Sequence, residues 1–416
     1  MSQEVGKREN FYRTDIQIND NGVLVKNVLK LIEGSPYYEE LYENMSIDKI
    51  KDEVIQISGA NKLVSTVLAM DKKFLKFDIH SELKNVKCNG LLDKKNAVIE
   101  ISEIEDEAIR KMIGSDIVKG ITKYSVKSDY LDKIYHADKF LNYCYDNEYE
   151  EFIKKSLDFI EENNKRGELK KQFRMLKDSK SNYFVRAITS VESYKNYNIN
   201  FSVFVALISL HKLSKSSKDI YDVRYCSVSE SDVRVVFRRN SYKSIGKDLK
   251  VGFELELVND EIKREAVKFN GLFSISYSND KVISIKPDIN AKIINFSHRV
   301  GVKKVWLLLS GLSDAIDDFT QEMYKDIELI KKSESPEELK KALYIKVKNA
   351  QQKEFRENYK KEVQLILEKE NVSTFYELLD LMNKVDLLID DSDIKAKDYW
   401  KYKLYEVLVK GKNEKR

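Results

Sequence analysis

The cations Arg224, Arg234, Arg238, Arg239 and Lys243 fall on neighbouring predicted strands and the turn between them, and Arg186 and Arg299 lie on segments able to approach. Guanidinium and ammonium groups on one sheet face neutralise phosphates and release counterions, which is the chemistry of a nucleic-acid backbone track. Tyr183, Tyr194, Tyr197, Tyr221, Tyr225 and Tyr242 are interleaved with them, and aromatic rings stack on unpaired bases. The competing expectation is cross-strand ion pairing, with Glu254 and Glu256 opposite Arg234 and Arg238 and the face left neutral. The segment 170–180 is a second basic cluster, which reads either as solvated surface or as a further contact with nucleic acid.

A different chemistry is written at Asp78, His80 and Glu82, which alternate along one predicted strand, with Lys84 continuing the row. Converging carboxylates beside a lysine are what a metal-dependent nuclease uses. The spacing also suits an ordinary solvated strand face, and no Asp-x-Glu-x-Lys core is present. The histidines His80, His136, His211 and His298 are scattered without metal-ligand spacing. No phosphate-binding Gly-x-x-x-x-Gly-Lys-Ser/Thr loop and no Gly-x-Ser-x-Gly elbow occurs, so no cofactor is expected.

The elements that must position these groups follow from periodicity. In the run 232–238, Val233, Val235 and Phe237 share one face while Arg234, Val236 and Arg238 share the other. In 250–258, Phe253, Leu255 and Leu257 oppose Glu254 and Glu256. Both predict antiparallel strands with one wet face. Residues 73–80 and 96–101 alternate similarly, and 201–210 reads as a buried helix too short to span a membrane. Ser102 and Glu105 have capping-box spacing before an apolar stripe at Ala108, Ile109 and Met112 that Gly114 stops. From Leu312 onward the chain reads as helical. Ser335-Pro336-Glu337-Glu338 predicts the start of a long charged helix to about Lys369, and two more helices cover 374–389 and 394–410. Those charged helices read either as a bundle covering the strands or as a surface for a protein partner or self-association.

The chain has 416 residues, enough for two or three domains. The polar stretch 162–171, which contains Gly167, reads as the first boundary. The expected division is a mixed α/β region at 1–165, a strand-rich domain at 166–310 and a helical region at 311–416, giving an α+β fold with a central antiparallel sheet. Net charge is only +4, which excludes a uniformly basic coat but leaves a local basic face open. Cys88, Cys144 and Cys226 are odd in number and far apart, which fits a reducing cytoplasm rather than a disulfide framework. The N-terminal residues lack the apolar core of a secretion signal.

Several motifs, taken in order, resemble the phage/plasmid-like family termed domain of unknown function 932. They are Ala108, Met112 and Gly114; the turn at 128–131; Arg186-Ala187-Ile188 followed by Ser190, Tyr194 and Asn198; Asn259-Asp260-Glu261; His298-Arg299-Val300-Gly301; and the helix at 374–385. The resemblance spans roughly 95–410. This chain carries Lys263 where a glycine is usual, and Tyr277-Ser278-Asn279-Asp280 where Cys-Thr-Asn-Gly is usual. The resemblance implies a role in the DNA biology of phages, plasmids or genomic islands and implies no reaction. The reading is therefore a cytoplasmic, non-enzymatic, nucleic-acid-binding protein of a mobile element, acting on single-stranded DNA. The alternatives are a metal-dependent nucleic-acid enzyme at Asp78, Glu82 and Lys84, or a protein-interaction factor in host defence or counter-defence.

Overall fold

The computed structural model describes residues 5–410 apart from 18, 246–247, 263, 279–280, 288–291, 331–334 and 391–392, with only the backbone at 326–330 and 410. Lys263, Asn279 and Asp280 therefore lie outside the described residues. The architecture is α+β. Its larger sheet is antiparallel along Glu9–Tyr12, Tyr221–Val228, Asp232–Ser244, Lys250–Asp260, Val267–Tyr277 and Lys281–Ile285. Lys292–Phe296 pairs with Val267–Tyr277, and a short parallel strand, Ile57–Ser58, joins Tyr221–Val228. The smaller sheet has the order Leu75–Glu82, Lys170–Lys177, Tyr183–Thr189, Val118–Thr122, Ala97–Ile101, Val86–Leu91, with one parallel pair between Tyr183–Thr189 and Val118–Thr122. Lys170–Lys177 and Tyr183–Thr189 sit in this sheet beside strands from before residue 165, so the expected division at 165/166 runs through it.

The alternation in the large sheet is present, but the wet face is not. Val233, Val235, Phe237, Phe253, Leu255 and Leu257 are buried, as that pattern requires. They face the helix Ile199–Ser217, which Asn198 caps through the Phe201 amide, and the helix Leu312–Ile330, whose Phe319 ring lies 6.0 Å from that of Phe253. Gly271 lies under Phe319, where a Cβ would collide with the ring. The opposite face, carrying Glu254 and Glu256, is equally buried. The helices Phe375–Leu388 and Ile394–Lys410 cover it, with Asp398 reaching Arg234 and Lys286, and Asp380 reaching Lys281. A face whose alternation predicts solvation is thus closed by chain more than a hundred residues downstream. The apolar stripes of these two helices, including Leu381, Trp400 and Leu404, are buried within the chain.

The local helix signals hold in part. The capping box expected at Ser335-Pro336-Glu337-Glu338 is not made, since Ser335 forms no side-chain cap bond although Pro336 does open the helix, whereas Thr374 and Glu377 do form one. The helix before Gly114 begins at Glu107 with Asp106, not Ser102, as its cap, because Asp106 Oδ1 takes the Ala108 and Ile109 amides. The expected single helix from Pro336 to Lys369 is three: Pro336–Lys348, Lys353–Asn358 and Lys360–Lys369. Leu343, Val347, Phe355 and Val363 are all buried, and the breaks let each piece turn its own apolar side inward. Among the described residues no helix is long and apolar enough to cross a membrane.

Candidate functional site

The strand arginines do not form an open track. Arg234 is 2% exposed and is held between Glu256 and Asp398. Arg224 Nη1 donates to Glu254 at 2.5 Å and also to Ser284. Arg238 pairs with Asp222 at 3.0 Å and Arg239 with Asp219 at 2.8 Å. Lys243 lies over the Tyr324 ring at 4.8 Å. Arg186 is buried against Glu261 at 2.8 Å. The physical reason is desolvation: a guanidinium keeps its charge wherever it lies, so burying it is tolerable only beside a carboxylate. Lys286 joins Arg234 between Glu256 and Asp398. Burial by itself raises the Glu256 carboxyl, but Arg234 and Lys286 hold it well below the usual carboxylate range. Of the predicted residues, only Arg299 is solvent-exposed and lines a cleft.

The acidic row resolves differently from its spacing. Asp78 accepts from Gln172 at 2.7 Å and from Arg174 at 3.2 Å, and Glu82 pairs with Lys84 at 2.6 Å on the surface. His80 is exposed, and Lys84 lies past the strand end in the 3-10 turn Leu83–Asn85. Among the described residues no group of three or more acidic, histidine or cysteine side chains is placed to hold a metal ion.

Motif residues scattered over more than a hundred positions meet at the junction of the two sheets. Tyr194 Oη donates to the Glu261 carbonyl at 2.9 Å, and the Tyr194 ring stacks on His298 at 5.0 Å and 4°. His298 Nδ1 lies 3.1 Å from the Lys195 carbonyl; an oxygen there can only accept, so Nδ1 carries the hydrogen. Asn259 Nδ2 donates to the Tyr197 and Asn198 carbonyls at 2.9 and 3.1 Å. Arg174, 1% exposed, donates to Tyr194, Asn196 and the Glu261 carbonyl. Glu261 also takes the Ile199 amide at the start of the long helix at 2.9 Å and Lys76 at 3.2 Å. Burial alone raises the Glu261 carboxyl; Lys76, Arg186 and Arg174 overcome it and hold the group well below the usual range. Burial pushes Asp260 up to about 6 despite Arg264, pushes the Tyr194 hydroxyl up to about 12, and pushes His298 down. Arg186 Nε and Nη2 are buried with no acceptor among the described residues, a cost of roughly 1–3 kcal/mol per buried donor.

Tyr194 and His298 line a cleft of about 510 Å³ at this junction. Its cations are Lys133, Arg166, Lys171, Arg264 and Arg299. Lys133 is matched by Asp129, and Arg264 by Asp260 and Asp232. Arg166 donates only to the Ile134 and Lys133 carbonyls, and neither it nor Lys171 nor Arg299 has a carboxylate partner among the described residues. Thr189, Ser190 and Ser193 supply hydroxyls, and Thr189 Oγ1 is buried without a partner among the described residues. Arg166 and Arg264 carry no sequence signal of this kind, because both sit in loops with no alternation to mark a face. The stretch 162–171, which reads as a polar boundary, supplies both Arg166 and Lys171 to the cleft, and Lys171 also belongs to the basic cluster at 170–180. No family model matches the chain, and no curated protein or solved structure was found to be similar to it.

Proposed function

We propose that this protein binds nucleic acid through the cleft at the sheet junction, as a non-enzymatic binder of a mobile genetic element. The observation that carries the reading is the trio Arg166, Lys171 and Arg299, cations that share one cleft and have no carboxylate partner among the described residues. Uncompensated cations in a groove attract a phosphate backbone, whereas paired ones have already given up most of that attraction. Hydroxyls of Ser190 and Ser193 add phosphate donors that carry no sequence preference. Tyr194 stands at the cleft wall with its ring already covered by His298 and by the Arg174 guanidinium, so phosphate contacts rather than base stacking carry the reading. The resemblance of its motif order to the phage/plasmid-like family is what supports the mobile-element setting. Three buried free thiols suit a reducing cytoplasm.

The test is binding of labelled single- and double-stranded DNA across a salt series. The expected result is retention that falls steeply with salt. Changing Arg166, Lys171 and Arg299 together to glutamate should lower affinity at least about tenfold and flatten the salt slope by about 2, since each lost phosphate contact removes roughly 0.7–0.9. Affinity and slope unchanged in that variant would overturn the assignment.

A further inference from the structure

Single exposed apolar side chains are ordinary on a protein surface; a contiguous group of them is not. Of the eight aromatic side chains that stand exposed among the described residues, six fall between positions 140 and 159. They belong to the hairpin of the helices Asp138–Asp146 and Glu150–Glu162. We propose that this hairpin docks another protein, through a segment of the partner that carries arginine or lysine beside aliphatic side chains. The hairpin shares no residue with the cleft, so the proposal does not depend on nucleic-acid binding.

The rings are not overflow from the core. Leu141, Cys144, Ile153 and Leu157 already bury the inner side of both helices against the small sheet. Phe140 and Tyr143, three apart, and Phe152 and Phe159, seven apart, lie together on another side of their helices. The Phe140 and Phe152 rings meet across the hairpin at 6.1 Å and 65°, and Tyr143 meets Tyr149 at 6.4 Å and 70°. These edge-on pairs fix the rings in one array that Phe159 extends. All five are still 45–65% exposed. The sixth, Tyr145, is tied to the Leu92 carbonyl at 3.2 Å.

Charge selects the partner. Residues 138–162 carry eight carboxylates against three lysines, in a chain whose net charge is +4. Lys127 takes Asp138, Lys94 takes Asp146 and Lys155 takes Glu151. Glu148, Glu150, Asp158 and Glu162 stand exposed with no cation partner among the described residues, against Lys139 and Lys154 with no carboxylate. The surplus is negative, and it repels a phosphate backbone or an anionic bilayer. A two-fold contact between copies would set this patch on itself, like charge on like. A cationic segment of a different protein is attracted twice: its charges meet the carboxylates, and its guanidinium groups sit on ring faces. Aliphatic side chains between them cover the phenylalanines, and aromatic anchors of this kind carry much of an interface's binding energy.

The experiment is fluorescence anisotropy of a labelled synthetic peptide of leucine and arginine at helical spacing, titrated with the full chain, beside the same peptide with glutamate for arginine. The expected result is saturable binding of the arginine peptide that weakens with salt, the glutamate peptide binding at least about tenfold less tightly. Phe152→Ser together with Phe159→Ser should weaken the arginine peptide at least about tenfold. Both rings are exposed, so thermal unfolding of that variant should stay close to that of the parent. Should it fail to fold, Glu150→Lys with Asp158→Lys serves, and should weaken the arginine peptide about fivefold and flatten its salt dependence. No saturable binding, equal binding of the glutamate peptide, or affinity unchanged in either variant would overturn the proposal. So would a parent that dimerises in sedimentation while the double serine variant does not, because a second copy would then occupy the rings.

Discussion

Arg234 and Arg299 carry the same charge and belong to one predicted basic set, yet they occupy opposite environments. Arg234 is buried between two carboxylates under the helix Ile394–Lys410; Arg299 stands exposed at a cleft with no carboxylate partner among the described residues. A cation on a strand announces only that something negative must come near it. Where the protein supplies the carboxylate, the cation holds the fold together; where it does not, the charge remains for a ligand.

That contrast can be broken by mutation. The largest effect belongs to Arg234→Ala, which takes from the buried Glu256 its nearest cation and leaves it only the more distant Lys286 at 3.4 Å. Urea unfolding should show a loss of about 3–5 kcal/mol, the cost of breaking a buried ion pair from one side. Asp398→Asn leaves Arg234 and Lys286 to share Glu256 and should cost about 1–3 kcal/mol by the same measurement. A smaller, pH-dependent effect is expected at His298, whose burial lowers its pKa. The unfolded chain then binds more protons than the folded one just below the ordinary histidine value of about 6.5. Stability is therefore lost as pH falls through that window, and it should be lost less steeply in His298→Gln. At the bottom of the scale, Arg299→Ala should change stability by no more than about 0.5 kcal/mol while still weakening DNA retention. An Arg299→Ala protein as unstable as Arg234→Ala would erase the distinction between the two regions.

The same contrast shows what is legible in the sequence. Strand alternation is local, so the pattern alone assigns Val233, Val235 and Phe237 to a core face, where they lie. The cross-strand alternative is legible in part: Arg234 does meet Glu256, but Glu254 takes Arg224, and Arg238 goes to Asp222. The partner that closes the face, Asp398, lies 164 residues from Arg234, and no periodicity reports it. The junction is half visible. Arg186, Tyr194, Asn198, Asn259, Glu261 and His298 belong to an ordered set of motifs, but their meeting depends on how the two sheets pack. Arg166 sits in a loop, where side-chain direction is set by tertiary contacts such as its bonds to the Lys133 and Ile134 carbonyls. The long charged helix divides where Asn349 ends one helix and the Gln352 side chain caps the next through the Phe355 amide, with Phe355 turned inward and buried.

The Asp398 clamp also has a consequence for biosynthesis. During translation the strand bearing Arg234 leaves the ribosome long before Asp398 does, and Lys286 precedes it by 112 residues. Until then both cations have Glu256 alone beneath a surface still open to water. The large sheet can pair its strands early but cannot dehydrate that face until synthesis has passed residue 398. The final locking step therefore waits until Asp398 has emerged, and a ribosome-bound chain halted before Asp398 would display a hydrated, protease-accessible sheet.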